Sequence, residues 1–202
     1  MCRTLLLIPL VLVAALLMQS PAQALPIGEA RITFNTAAAD GFALDNLATD
    51  FTTLVFTEVP LQPANGLTVN GITFGYSGTF ANYNSAFGPG GFTFVDSPVL
   101  EGNNDGILTL SFAQPTKSLS FGLALSRSDF TGVGATVELF TQSMVPIGGP
   151  LPVNVIPLVF SPTVSFPEGA FSFVHAPEPS TILLFAVGLV LLTMMRLGRE
   201  SA

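Results

Sequence analysis

The sequence predicts an all-β domain of sandwich type lying between two apolar ends. Three observations lead there. Short runs rich in Phe, Val, Leu and Thr recur across residues 25–176, separated by Gly, Pro, Ser, Thr and Asn. Several runs alternate with a period of two: Leu108, Leu110 and Phe112 fall on one side of an extended chain, Thr109 and Ser111 on the other. Helical periodicity is weak throughout this region. Its best instance, Ala37–Asp50, is argued into a loop by Gly41 and Asn46.

The elements follow in chain order. Residues 1–24 have the form of a secretory signal peptide: Arg3, then the uncharged run Leu5–Met18, then Pro21-Ala22-Gln23-Ala24 as a small-x-small cleavage site. That run is shorter than the roughly 20 residues that span a bilayer. Cleavage by signal peptidase after Ala24 removes Cys2, the only cysteine, so the mature chain has no thiol chemistry. The expected strands of the domain at 25–176 are Ala30–Asn35, Thr53–Thr57, Leu67–Ser77, Phe92–Asp96, Ile107–Ala113, Ser118–Ser126, Ala135–Thr141, Pro157–Ser161 and Ala170–Val174. Leu119, Phe121, Leu123 and Leu125 share a face, as do Ala135, Val137 and Leu139. Gly78–Gly91 reads as a Gly/Asn/Ser-rich loop, and Pro146–Pro157, with four prolines, as an edge or turn region.

Composition excludes several classes. Of 202 residues, 49% are hydrophobic and 9% charged, which argues against a solvated helical bundle or a charged disordered chain. Six cations against thirteen carboxylates give a net charge of −7. Residues 25–176 hold only Arg31, Lys117 and Arg127 against eleven carboxylates, net −8, so no basic patch for nucleic acid can be assembled there. One Cys and one His exclude zinc fingers and disulfide frameworks.

The C-terminus carries the most specific pattern. Thr181–Leu197 is apolar and holds one charge, Arg196, near its end. As a helix of some 17 residues it reaches about 25 Å, a short span that snorkelling Arg196 and Arg199 can complete. Those arginines form a cytoplasmic basic tail under the positive-inside rule, and the signal peptide places the middle of the chain outside. Pro177-Glu178-Pro179-Ser180 abuts the helix, with Ser180 as its N-cap. This series of a Pro-Glu-Pro motif, a membrane helix and an Arg-containing tail resembles the PEP-CTERM sorting domain, over residues 177–202. The resemblance implies recognition of Pro177, Glu178 and Pro179 by an exosortase, a membrane-embedded cysteine protease similar to transpeptidases. Such substrates are exported by Gram-negative bacteria that make exopolysaccharide and biofilm matrix. The chain would sit in the inner membrane through residues 181–197 before sorting, then at the cell surface or outside the cell. Asn70-Gly71-Ile72-Thr73-Phe74 and Gly106-Ile107-Leu108-Thr109-Leu110-Ser111-Phe112 are similar to the β-sandwich ectodomains found ahead of such tails, and imply a jelly-roll-like arrangement.

The domain offers little chemistry. Glu101, Asn103 and Asp105 place oxygens at alternate positions and are the candidate ligands for a hard cation such as calcium. The competing reading is a hairpin turn at Asn104-Asp105-Gly106. Tyr76 and Tyr83 flank a loop and are the candidates for stacking on a glycan. Asp40, Asp45 and Asp50 are close enough in sequence to suggest paired carboxylates. His175 lies in the approach to the Pro-Glu-Pro motif, a poor place for a catalytic base, and no cofactor motif is present. The expectation is therefore a non-enzymatic exported surface or matrix protein. A carbohydrate-binding module, a secreted glycan hydrolase and a permanently anchored single-pass membrane protein are its rivals.

Overall fold

The computed structural model describes residues 25–37, 40–56, 61–85, 93–96, 98–126, 130–161 and 164–174. They form an all-β unit with no helix among them: a curled, antiparallel twelve-stranded sheet. The strands are β1 Ile27–Phe34, β2 Gly41–Thr49, β3 Gln62–Pro63, β4 Thr68–Val69, β5 Ile72–Tyr76, β6 Ala81–Ser85, β7 Val99–Asn103, β8 Ile107–Thr116, β9 Ser118–Leu125, β10 Gly132–Phe140, β11 Leu151–Ser161 and β12 Val164–Val174. Their spatial order is β3-β6-β7-β2-β9-β12-β11-β10-β1-β8-β5-β4.

One strand carries the sheet around its corner. The Leu151–Val155 half of β11 pairs with β10, and its Ile156–Ser161 half pairs with β12. Each half thus has a ladder on one side only, which is where proline is tolerated, and Pro152 and Pro157 occupy it. The expected edge at Pro146–Pro157 therefore becomes, from Leu151 on, part of the strand that joins the two halves of the sheet.

The alternating runs behave as their period demands. Ala30, Ile32 and Phe34 of β1, Leu108, Leu110 and Phe112 of β8, and Ala135, Val137 and Leu139 of β10 all enter one core. Leu119, Phe121, Leu123 and Leu125 of β9 meet them from the other half. Aromatic rings join the halves: Phe34 stacks on Phe42 of β2 at 4.0 Å, and Phe74 of β5 lies 5.6 Å from Tyr83 of β6. Burying side chains of this size is the main driving force for the fold.

Several expected elements differ. Leu67–Ser77 is not one strand but the hairpin β4–β5. Asn70 and Gly71 take φ of 48° and 82°, the backbone of a tight primed turn, and Asn-Gly is the pair that adopts it at least cost. The Ala37–Asp50 region yields β2, bulged at Asn46, whose φ is 53° and where pairing with β9 slips between Asp45 and Ala48. The extra residue lets Leu44 and Leu47 both point inward, which breaks the period of two. The Gly78–Gly91 loop contains β6, and β7 is a further strand that lacks a strong apolar pattern. Thr53–Thr57 contributes only a bridge from Thr53 to Ala48, and Thr93–Asp96 is not a strand.

The segment that joins β3 to β4 ties the two outermost edges together. Ala64 N–H donates to Ala81 O beside β6 at 2.9 Å, and Gly66 N–H donates to Phe74 O of β5 at 2.8 Å. Asn65 Oδ1 accepts from Tyr76 N–H at 3.1 Å, so β5's outward amide there is also satisfied. Both ends of the described unit lie at one end of the sheet, because Ile27 pairs with Thr116 and Val174 with Ser118.

Candidate functional site

Of the polar residues singled out from sequence, Tyr76, Asn103 and Asp105 come together where the chain passes from β7 to β8. Asp105 follows β7 in the tight connection to β8, but the hairpin expected at Asn104-Asp105-Gly106 is not formed: β7 pairs with β2 and β6, β8 pairs with β1 and β5, and the turn carries the chain from one half of the sheet to the other. Its exposed carboxylate is occupied. Thr79 N–H donates to both oxygens at 3.1 and 3.2 Å, the Thr79 hydroxyl donates to Oδ2, and the Tyr76 hydroxyl lies 3.0 Å from Oδ1. The Thr79 hydroxyl and amide, with Tyr76 adding to them, hold the Asp105 carboxyl below the usual carboxylate range. The Tyr76 hydroxyl also donates to the Asn103 carbonyl. Glu101 and Asn103 lie on the outer face of β7, opposite core-facing Leu100 and Gly102. Among the described residues no three His, Cys, Asp or Glu side chains come together as metal ligands do.

Tyr76 and Tyr83 require a correction. Both flank a loop in sequence, but they are only 8% and 4% exposed and belong to the core. Tyr76 lies 5.9 Å from the Phe42 ring, and Tyr83 lies between Phe56 and Phe74 at 4.9 and 5.6 Å. Neither ring offers a face on which a sugar can stack. Alternation explains this, since both point to the inner face of their strands beside Phe74 and Ala81. Burial raises both phenols, and for Tyr76 the hydrogen bond and the negative charge of Asp105 add to it.

The three aspartates are spread along β2. Asp45 lies within β2 before the bulge at Asn46, and Asp50 lies past the end of the strand; the hydrogen-bond partners of their carboxylates are on different elements. Each has a structural task. Asp40 N–H donates to Ser126 Oγ at 3.2 Å, and its carbonyl accepts from Asn104 N–H at 3.1 Å. Asp45 accepts from the Asn46 and Asp96 amides at 2.7 and 3.0 Å. Asp50 accepts from Lys117 N–H at 3.2 Å and from the Thr116 hydroxyl, which lies 2.7 Å from Ser118 O. This last group clamps the one-residue corner between β8 and β9.

Sequence reasoning passed over Glu168. Its side chain is fully buried, and its two oxygens accept from Thr93 and Phe94 N–H at 3.0 Å each. Glu168 falls between the expected strands Pro157–Ser161 and Ala170–Val174, in the part of β12 that the apolar pattern does not mark.

His175, the sorting motif Pro177, Glu178 and Pro179, the membrane segment 181–197, the basic residues Arg196 and Arg199 and the signal peptide 1–24 lie outside the described residues. Among the described residues no helix is long and apolar enough to cross a membrane. No protein-family model, curated protein or solved structure matches the chain.

The Tyr76–Asp105 pair sets an expected pH response. Asp105 is depressed, so its contribution to stability is present above the ordinary value of 3.8 and is lost as pH falls below it. Tyr76 is raised, so its contribution is complete below 10.0 and is lost as pH rises past it. Urea midpoints measured from about pH 5 down to about pH 2 should fall less steeply for Asp105→Asn than for the parent. Parallel acid limbs would remove Asp105 from the account.

Proposed function

We propose that this chain is an exported, non-enzymatic surface or matrix protein, delivered by the signal peptide at 1–24 and sorted by an exosortase through residues 177–202. The observation that carries this reading is the C-terminal series of Pro177-Glu178-Pro179, the apolar run 181–197, and Arg196 with Arg199. The domain between is a jelly-roll-like β-sandwich. Its pairing supports that label: β1-β8-β5 form one half and β2-β7-β6 the other, as when a long antiparallel ribbon is wound over itself. The engaged carboxylates of Asp45, Asp50 and Asp105 support a non-enzymatic role, since each serves the fold. The chain is in this reading a substrate of signal peptidase and of the exosortase, with exopolysaccharide as its surroundings.

The test is the intact mass of the exported product from cells with and without a sorting protease. The expected product lacks residues 1–24 and 181–202 when the protease is present, and keeps 181–202 when Pro177, Glu178 and Pro179 are all replaced by alanine. A product that keeps the tail in both strains overturns sorting and leaves a permanent single-pass anchor.

A further inference from the structure

Thr93–Asp96 lies on the outer face of β2, β9 and β12 without joining any strand, and side chains of Glu168, Asn46 and Asp45 hold its backbone. Glu168 Oε1 and Oε2 accept from Thr93 and Phe94 N–H at 3.0 Å each. Asn46 Nδ2 donates to Phe94 O at 3.1 Å, and Asp45 Oδ2 accepts from Asp96 N–H at 3.0 Å. Val95 is 1% exposed and packs in a small apolar cluster with Ala43, Val99 and Ala124, separate from the main core. Gly122 forms the floor. A Cβ there would overlap the backbone carbonyl of Phe94, so only glycine lets this chain pass so close.

We propose that this face of the sheet is a binding site for an extended peptide, which the chain fills with its own Thr93–Asp96. The site reads three amides and one carbonyl through fixed side-chain partners and one side chain through an apolar pocket. The Thr93 and Phe94 side chains are exposed, so the site reads them least. The ligand class is therefore an extended segment whose third residue is a compact aliphatic one. Glu168 is the decisive group. A wholly buried carboxylate is costly unless donors reach it, and here two amides of the seated segment do so.

The test uses the full chain in detergent micelles and a labelled, end-blocked peptide with the sequence of residues 92–98. Val95→Asp sets a charge against Ala43, Val99 and Ala124 and so unseats the chain's own segment. Fluorescence anisotropy should show the peptide binding this variant at least about tenfold more tightly than the parent, whose site is filled at a millimolar effective concentration. Binding should vanish when Gly122→Leu is added, and for a peptide carrying Asp in place of Val95. A folded Val95→Asp chain that binds no more peptide than the parent overturns the proposal. Hydrogen exchange on the parent chain gives a second measure that needs no variant. The amides of Thr93, Phe94 and Asp96 should exchange together while the β9–β12 ladder stays protected. Exchange of the two only in step would show that the segment is an integral part of the sheet and not a ligand to it.

Discussion

Phe74→Ala is expected to lower the stability of the domain by about 3–5 kcal/mol, the usual cost of removing a fully buried phenylalanine ring. Phe74 is wholly inaccessible, stands on the inner face of β5 opposite Leu110, and reaches Tyr83 on the far half of the sheet. Its strand neighbours Ile72 and Leu108 are held by the β5–β8 ladder, which limits how far the backbone can collapse into the volume left behind. Against a total of roughly 5–15 kcal/mol for an ordinary domain, this is a large fraction. With a urea slope of about 1–3 kcal/mol/M the midpoint should fall by about 1 M or more. Val55→Ala is the control: Val55 is 77% exposed, so its stability should stay within about 0.5 kcal/mol of the parent. Equal midpoints for Phe74→Ala and Val55→Ala would show that the two halves do not share a core.

Gly102→Ala is expected to cost about 1–3 kcal/mol by overpacking, an unusual penalty for one methyl group. A Cβ at Gly102 would lie 2.5 Å from the backbone oxygen of Phe80 and 2.8 Å from Phe42 Cε1. The backbone oxygen cannot rotate away, and the Phe42 ring is fixed in its stack on Phe34 at 4.0 Å. Gly149→Ala, where a Cβ meets nothing within 4 Å, should be neutral or slightly stabilising. Thermal melts of the pair discriminate. If both variants melt with the parent, β7 is not pressed between Phe42 and Phe80 as described.

The parts of the fold legible in sequence are those whose side chains alternate strictly. β8, β9 and β10 were marked by Leu108-x-Leu110-x-Phe112, Leu119-x-Phe121-x-Leu123-x-Leu125 and Ala135-x-Val137-x-Leu139, and the structure extends β8 to Thr116 and starts β10 at Gly132. β2, β6 and β7 were hidden for physical reasons. In β2 the bulge at Asn46 shifts the inward positions from Leu44 to Leu47. In β7 the inward positions are Leu100 and Gly102, and in β6 they are Ala81 and Tyr83. Small residues there leave room for Phe42 and Phe80, so the pattern carries little apolar signal. Tyr76 and Tyr83 were misplaced because a polar hydroxyl next to a glycine-rich loop reads as surface. Only the neighbouring strands reveal that the rings turn inward, with the Tyr76 hydroxyl ending on Asn103 and Asp105. Glu168 was invisible for the same kind of reason: its partners lie 74 and 75 positions away in the chain.

The stitch from Ala64 to Leu67 bears on whether copies of this domain can join edge to edge. Exposed strand borders are templates on which identical molecules polymerise into fibres. Here Phe74 N–H and O, Tyr76 N–H and Ala81 O are already engaged by the chain's own turn. A neighbouring copy cannot pair with those groups without first displacing that turn, which sets a barrier to fibre growth at this seam.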